Sequence, residues 1–175
     1  RWEQIEPLPD LFSDFPSQRG YHTAVGNTTH MVVYGGIVDS ENVLHDVWTF
    51  SYKTLEWKLI YSSGDSNAPD QSQLCSSTYV KNNTLIMIGA CAEQLVEQGT
   101  MFWLFDPATT SWLPPLIAPD NVTTSVDEVA VGYTQTALFN FNDFILLYAG
   151  GNHTLVEVHL GPKTNQFIAD TPSSN

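Results

Sequence analysis

The chain has 175 residues, 42% of them hydrophobic and 12% aromatic, which is enough apolar material for one core and excludes a disordered tail. Six Lys and Arg stand against 19 Asp and Glu, and this net charge of −13 excludes nucleic acid and anionic membrane as partners, since both demand clustered cations. No apolar run reaches membrane-spanning length, so no direct membrane insertion is expected, and the opening Arg1-Trp2-Glu3-Gln4 is not a signal peptide but reads as the start of a mature or excised piece.

In chain order, the first apolar stretch is residues 2–5. After a polar, Pro-containing connection come four short β-rich stretches bounded by turn residues: strand a near 21–26, b near 31–35, c near 46–51 and d near 56–60. No window shows apolar residues at helical spacing over three turns, so no helix is predicted. The pattern then returns twice. HMVVYGG (30–36) matches LIMIGAC (85–91) and ILLYAGG (145–151). YHTAV, CSSTYV and TQTAL lie upstream, which makes Cys75 and Gln135 the equivalents of His22.

Bulky aromatics recur every 55 residues at Trp2, Trp57, Trp112 and Phe167. Trp48, Trp103 and Val158 follow the same interval, as do Phe50, Phe105 and Leu160, and Thr54, Thr109 and Thr164. The chain therefore divides into units at 19–60, 73–115 and 132–168, with 2–5 as the outer strand of a preceding unit, all within one domain over 1–175.

A four-stranded unit repeated at this interval predicts an all-β fold, a β-propeller with three four-stranded blades and one orphan outer strand. Arg19, His22, Gly35-Gly36, Asp46-Val47-Trp48 and Trp57 resemble a Kelch repeat. The second unit departs from that pattern, with Gly89-Ala90-Cys91 in place of the double glycine, and the third keeps Gly150-Gly151 but loses both tryptophans. The register of the second and third b–c loops is therefore open. The double glycine is expected to turn the backbone sharply and to let a neighbouring blade's tryptophan pack against it. A phosphate-binding loop would need a following helix and further glycines or Gly-Lys-Thr, and the sequence has neither.

Propellers close with about 4–8 blades. Three units and an orphan strand therefore predict that the remaining blades come from another chain or segment, and that the piece alone leaves blade faces open.

Four N-x-Ser/Thr sequons, at Asn27, Asn82, Asn121 and Asn152, exceed chance for this length and predict glycosylation of an extracellular, secreted or cell-surface protein. Cys75 opens strand a and Cys91 follows strand b of one hairpin, so the two are expected to form a disulfide.

The resemblance to a Kelch blade implies that the d–a and b–c loops emerge on one face. They carry Asp10, Asp14, Asp39, Glu41, Asp65, Asp70, Glu93, Glu97, Asp127 and Glu128, whereas Lys53, Lys81 and Lys163 fall in turns of the opposite face. This predicts a loop-built acidic face for a basic protein partner, with Ca²⁺ as a weaker alternative. Otherwise no cofactor is expected. His22, His30, His45, His153 and His159 show no metal-ligand spacing, and neither zinc nor nucleophile motifs occur, so no catalytic residue is assigned.

The resemblance extends to the extracellular Kelch modules of attractin and the multiple-EGF-like-domain glycoproteins. It implies a non-catalytic protein–protein interaction module. The alternative is part of a secreted propeller enzyme, an oxidase or sugar-processing protein, with catalytic residues outside this segment; galactose oxidase is similar in fold but needs paired tyrosines, histidines and a cross-linked cysteine.

Overall fold

The computed structural model describes residues 15–39, 42–62, 64, 66–69, 75–80, 84–89, 101–114, 116–117, 136–141, 144–149, 154–160 and 167–170. They form three antiparallel sheets and, among the described residues, no helix. The first blade orders its strands as in the sequence: β1 (Thr23–Gly26), β2 (His30–Tyr34), β3 (Val47–Ser51) and β4 (Trp57–Tyr61). The third does the same with β10 (Thr136–Phe141), β11 (Phe144–Ala149), β12 (Thr154–Leu160) and β13 (Phe167–Asp170). The inner strands β1, β5 and β10 lie side by side, as the first strands of successive propeller blades do.

The second blade has a broken outer edge. Its strands are β5 (Ser76–Val80), β6 (Leu85–Gly89), β7 (Met101–Asp106), β8 (Ser111–Trp112) and β9 (Leu116–Ile117). Both β8 and β9 pair with β7. Leu113-Pro114-Pro115 separates them, and proline has no N–H to give a ladder, so the single d strand expected from the repeat becomes two.

The 55-residue interval is the spacing of the c–d hairpins. Phe50 pairs with Trp57, Phe105 with Trp112 and Leu160 with Phe167. Two of these hairpins share their turn chemistry: Leu55 and Thr110, one interval apart, both take the left-handed conformation, at φ 59° and 54°. The b–c connections do not keep the interval. Residues 35–46 and 90–100 span them in the first two blades, but only 150–153 in the third. Val158, matched to Trp48 by counting, pairs with Ile145, while Trp48 and Trp103 pair with Val33 and Ile88.

Among the described residues, a core lies between the first two blades. Tyr34, Val47, Ile86, Ile88, Trp103, Phe105 and Trp112 are buried together. Trp112 stands edge-on to Tyr34 at 5.2 Å and to Tyr61 at 6.0 Å, so an outer-strand tryptophan of the second blade is covered by aromatics of the first. Near the inner strands the two blades are also tied by a 2.7 Å hydrogen bond between the Thr23 and Ser77 hydroxyls.

Candidate functional site

The b–c connection of the first blade is a loop with internal structure. Gly20 bridges Ile37, and Ile37 bridges Val43, which makes a short ladder above the blade. Both Gly20–Ile37 backbone bonds are 2.9 Å, and Leu44 N–H donates to the Gly36 carbonyl at 2.8 Å. At the double glycine φ is +64° and then +96°. A Cβ at Gly36 would meet the Gly20 carbonyl at 2.5 Å and the His22 backbone nitrogen at 3.0 Å. Beside Gly36 lies the entry into its own strand a.

Arg19 locks the base of the loop. Its guanidinium donates to both carboxylate oxygens of Asp46, at 2.5 and 2.9 Å, and to the Gly35 carbonyl at 3.1 Å. The Trp48 indole N–H donates to Asp46 at 2.6 Å. Burial pushes the Asp46 carboxyl up, but the Arg19 and Trp48 hydrogen bonds and the Arg19 charge outweigh it and hold the group below the usual carboxylate range. One carboxylate thus joins the start of strand a, the double glycine and strand c.

At its tip the loop closes on Asp39, which accepts from the Asn42 backbone N–H at 3.1 Å and from its side-chain amide at 2.8 and 2.7 Å. The clamp leaves three apolar side chains facing water: Tyr21 is 59% exposed, Val38 49% and Val43 38%. Tyr21 is also held at φ 56°, a conformation a side chain rarely takes unless its surroundings impose it.

Of the acidic residues assigned to this face, Asp39 is described and exposed. Asp10, Asp14, Glu41, Asp65, Asp70, Glu93, Glu97, Asp127 and Glu128 lie outside the described residues, as do Asn82, Asn121, Asn152, Cys91 and residues 2–5. Asn27 follows β1 in the a–b turn, and Cys75 is buried directly before β5 and carries no free thiol. Among the described residues no cluster of three His, Cys, Asp or Glu side chains could hold a metal ion. The exposed Tyr21, Val38 and Val43 were not singled out by sequence reasoning. Val38 and Val43 are apolar side chains in the b–c loop, and Tyr21 opens the segment read as strand a.

Residues 1–156 match the family model described as the KLHDC2/KLHL20/DRC7 Kelch-repeats domain. Among solved structures, the one described as "Structure of YjhT" is similar with a TM-score of 0.59 at 17% identity, over 93% of this chain. The chain spans 55% of that structure's length, and the likeness is one of fold. No curated protein matches the chain.

Proposed function

The chain belongs to the KLHDC2/KLHL20/DRC7 Kelch-repeat family, whose repeats generally mediate protein–protein interaction and are generally non-catalytic, and from that premise we propose that it is an extracellular interaction module of a secreted or cell-surface glycoprotein, binding a protein partner through its d–a and b–c loops. The observation that carries the loop assignment is the clamped ladder of the first blade. Tyr21, Val38 and Val43 are exposed on a backbone fixed by the Arg19–Asp46 pair, so docking a partner on them orders little that is not already ordered. Asp39 next to Val38, and the acidic residues that the sequence assigns to the d–a and b–c loops, favour a partner that sets basic residues next to an apolar contact.

The extracellular setting, and with it the likeness to the Kelch modules of attractin and the multiple-EGF-like-domain proteins, rests on the four sequons. The remaining blades of the ring, from another segment or chain, are further partners in this proposal. No cofactor is required by it; Ca²⁺ at the acidic loops would be an addition, tested by titration calorimetry.

The test uses the full-length protein as bait against extracellular fluid and cell-surface extracts. V38D and Y21A should each abolish capture of a partner that the parent protein and a control, K53E in a turn of the opposite face, retain. Equal capture by all four proteins would place binding elsewhere and overturn the loop assignment.

A further inference from the structure

On the opposite face, where the a–b and c–d turns emerge, a cleft of about 690 Å³ opens between the first and second blades. Val32, Ile60 and Leu85 form an apolar lining, the Tyr79 ring joins them, and Lys58 and Asp106 stand as polar groups around it. Its volume is in the range that small ligands occupy, roughly 300–1,000 Å³. Asn27, the asparagine of the first sequon, also lines this cleft.

The Asn27 side chain is held in one orientation. Its Oδ1 accepts from the Thr29 backbone N–H at 2.8 Å, the His30 backbone N–H at 2.9 Å and the Thr29 hydroxyl at 3.0 Å. All three bonds use the amide oxygen. Nδ2, the atom that carries an N-linked glycan, takes part in none of them. A glycosylated asparagine keeps its amide oxygen, so this turn and a glycan coexist.

We propose that the interblade cleft is an intramolecular glycan site, in which the first N-acetylhexosamine of a glycan on Asn27 packs into the cleft lined by the half-buried Ile60 and the buried Tyr79 and Leu85, and bridges the first two blades. The inference rests on the extracellular reading above. Attachment joins Nδ2 to the anomeric carbon of a lipid-linked oligosaccharide, with loss of one Nδ2 proton and departure of the lipid diphosphate. A sugar ring then presents a C–H face and a rim of hydroxyls. The cleft offers the complement: an apolar and aromatic lining for the first, and Lys58 and Asp106 for the second. A tethered ligand needs little intrinsic affinity, because its effective concentration at the cleft is on the order of millimolar.

The experiment takes the full-length protein from a glycosylating host and maps Asn27 occupancy by peptide mass. Two treated forms follow, one trimmed by an endoglycosidase to a single sugar and one stripped by an amidase that converts Asn27 to Asp. An aspartate still accepts the turn's hydrogen bonds, so the stripped form keeps its turn. Hydrogen exchange is read in Trp57–Tyr61 and Leu85–Gly89. Exchange there should be unchanged by trimming and several-fold faster after stripping. Occupied Asn27 with equal exchange in all forms would overturn the glycan site and leave the extracellular reading standing; a cleft filled by a partner peptide, or by nothing, gives that result. Unmodified Asn27 beside a glycan at another sequon would overturn the glycan site alone, and no glycan at any of the four would overturn both.

Discussion

Gly89 and Phe102 face each other across β6 and β7, where the first blade has Tyr34 opposite Val47 at the same register. The two blades fill one layer with the same ingredients in opposite order, small against large and then large against small. A Cβ at Gly89 would run into the Phe102 ring. Gly89→Ala should therefore overpack a buried site and destabilise by about 1–3 kcal/mol. Phe102→Val alone should leave a cavity and cost a comparable amount. Together they should be less destabilising than their sum, because the second change makes the room the first requires. Urea unfolding of the four proteins measures the coupling, and simple additivity would show that the swap does not fill a shared layer.

Removing the guanidinium tests the loop clamp. Arg19→Ala leaves Asp46 with one side-chain donor, Trp48, and should cost roughly 2 kcal/mol. The pH dependence carries the clearer signature. The Asp46 carboxyl is depressed in the folded state, so its contribution is fully present above the ordinary aspartate value of about 3.9 and is lost as pH falls through the lower folded value. Stability of the parent protein should thus drop below about pH 4, and Arg19→Ala should flatten that part of the profile. Parallel profiles for the two proteins would mean that Asp46 gains nothing from Arg19.

How far the residues announced these features depends on what each has to satisfy. The c–d hairpin was legible because Trp57, Trp112 and Phe167 must each sit opposite a large apolar residue on the same short turn, so length and chemistry repeat together. The equivalence of His22 and Cys75 was legible for the same reason: each directly precedes its inner strand. The b–c connections were not, since a loop on a propeller face closes between fixed strand ends at many lengths and no packing rule constrains it. The Arg19–Asp46 pair was present in the sequence as two residues of a motif, but a charge pair 27 positions apart has no local spacing to reveal it. Most of the acidic face was assigned from loop position alone. At Asp39 the carboxylate closes its own loop on Asn42 while apolar neighbours meet the solvent.

The c–d turns offer a stabilising change. Thr110 is exposed and β-branched, yet it holds φ 54°, where branched side chains are disfavoured. Leu55 takes the same conformation one interval earlier, and the third unit has Asn165 at the corresponding position in sequence. Asparagine tolerates this conformation well. Thr110→Asn should therefore raise stability by about 0.5–1 kcal/mol, with Thr110→Gly similar or smaller because glycine loosens the unfolded chain. Thermal unfolding measures both, and a fall with Asn would mean that Thr110 contributes a contact outweighing its strain.

The second blade's hairpin should carry a covalent tie. Cys75 is buried, carries no free thiol and stands one residue before the Ser76–Gly89 pair that ends the β5–β6 ladder. Cys91 follows Gly89 by two residues in sequence, close enough for a bridge across the open end of the hairpin. We propose that the two are joined. A closed loop of this length, about 15 residues, stabilises by roughly 3 kcal/mol through the unfolded chain. Cys91→Ser should lower the unfolding midpoint, and Cys75→Ser should lower it further, because it also sets a hydroxyl in the buried cluster between the first two blades. Mild reduction of the parent protein should reproduce the Cys91→Ser shift without a change of side chain. Maleimide labelling of the unfolded, unreduced protein gives the direct reading: no label is expected before reduction and two after it, and two labels before reduction would rule the bridge out.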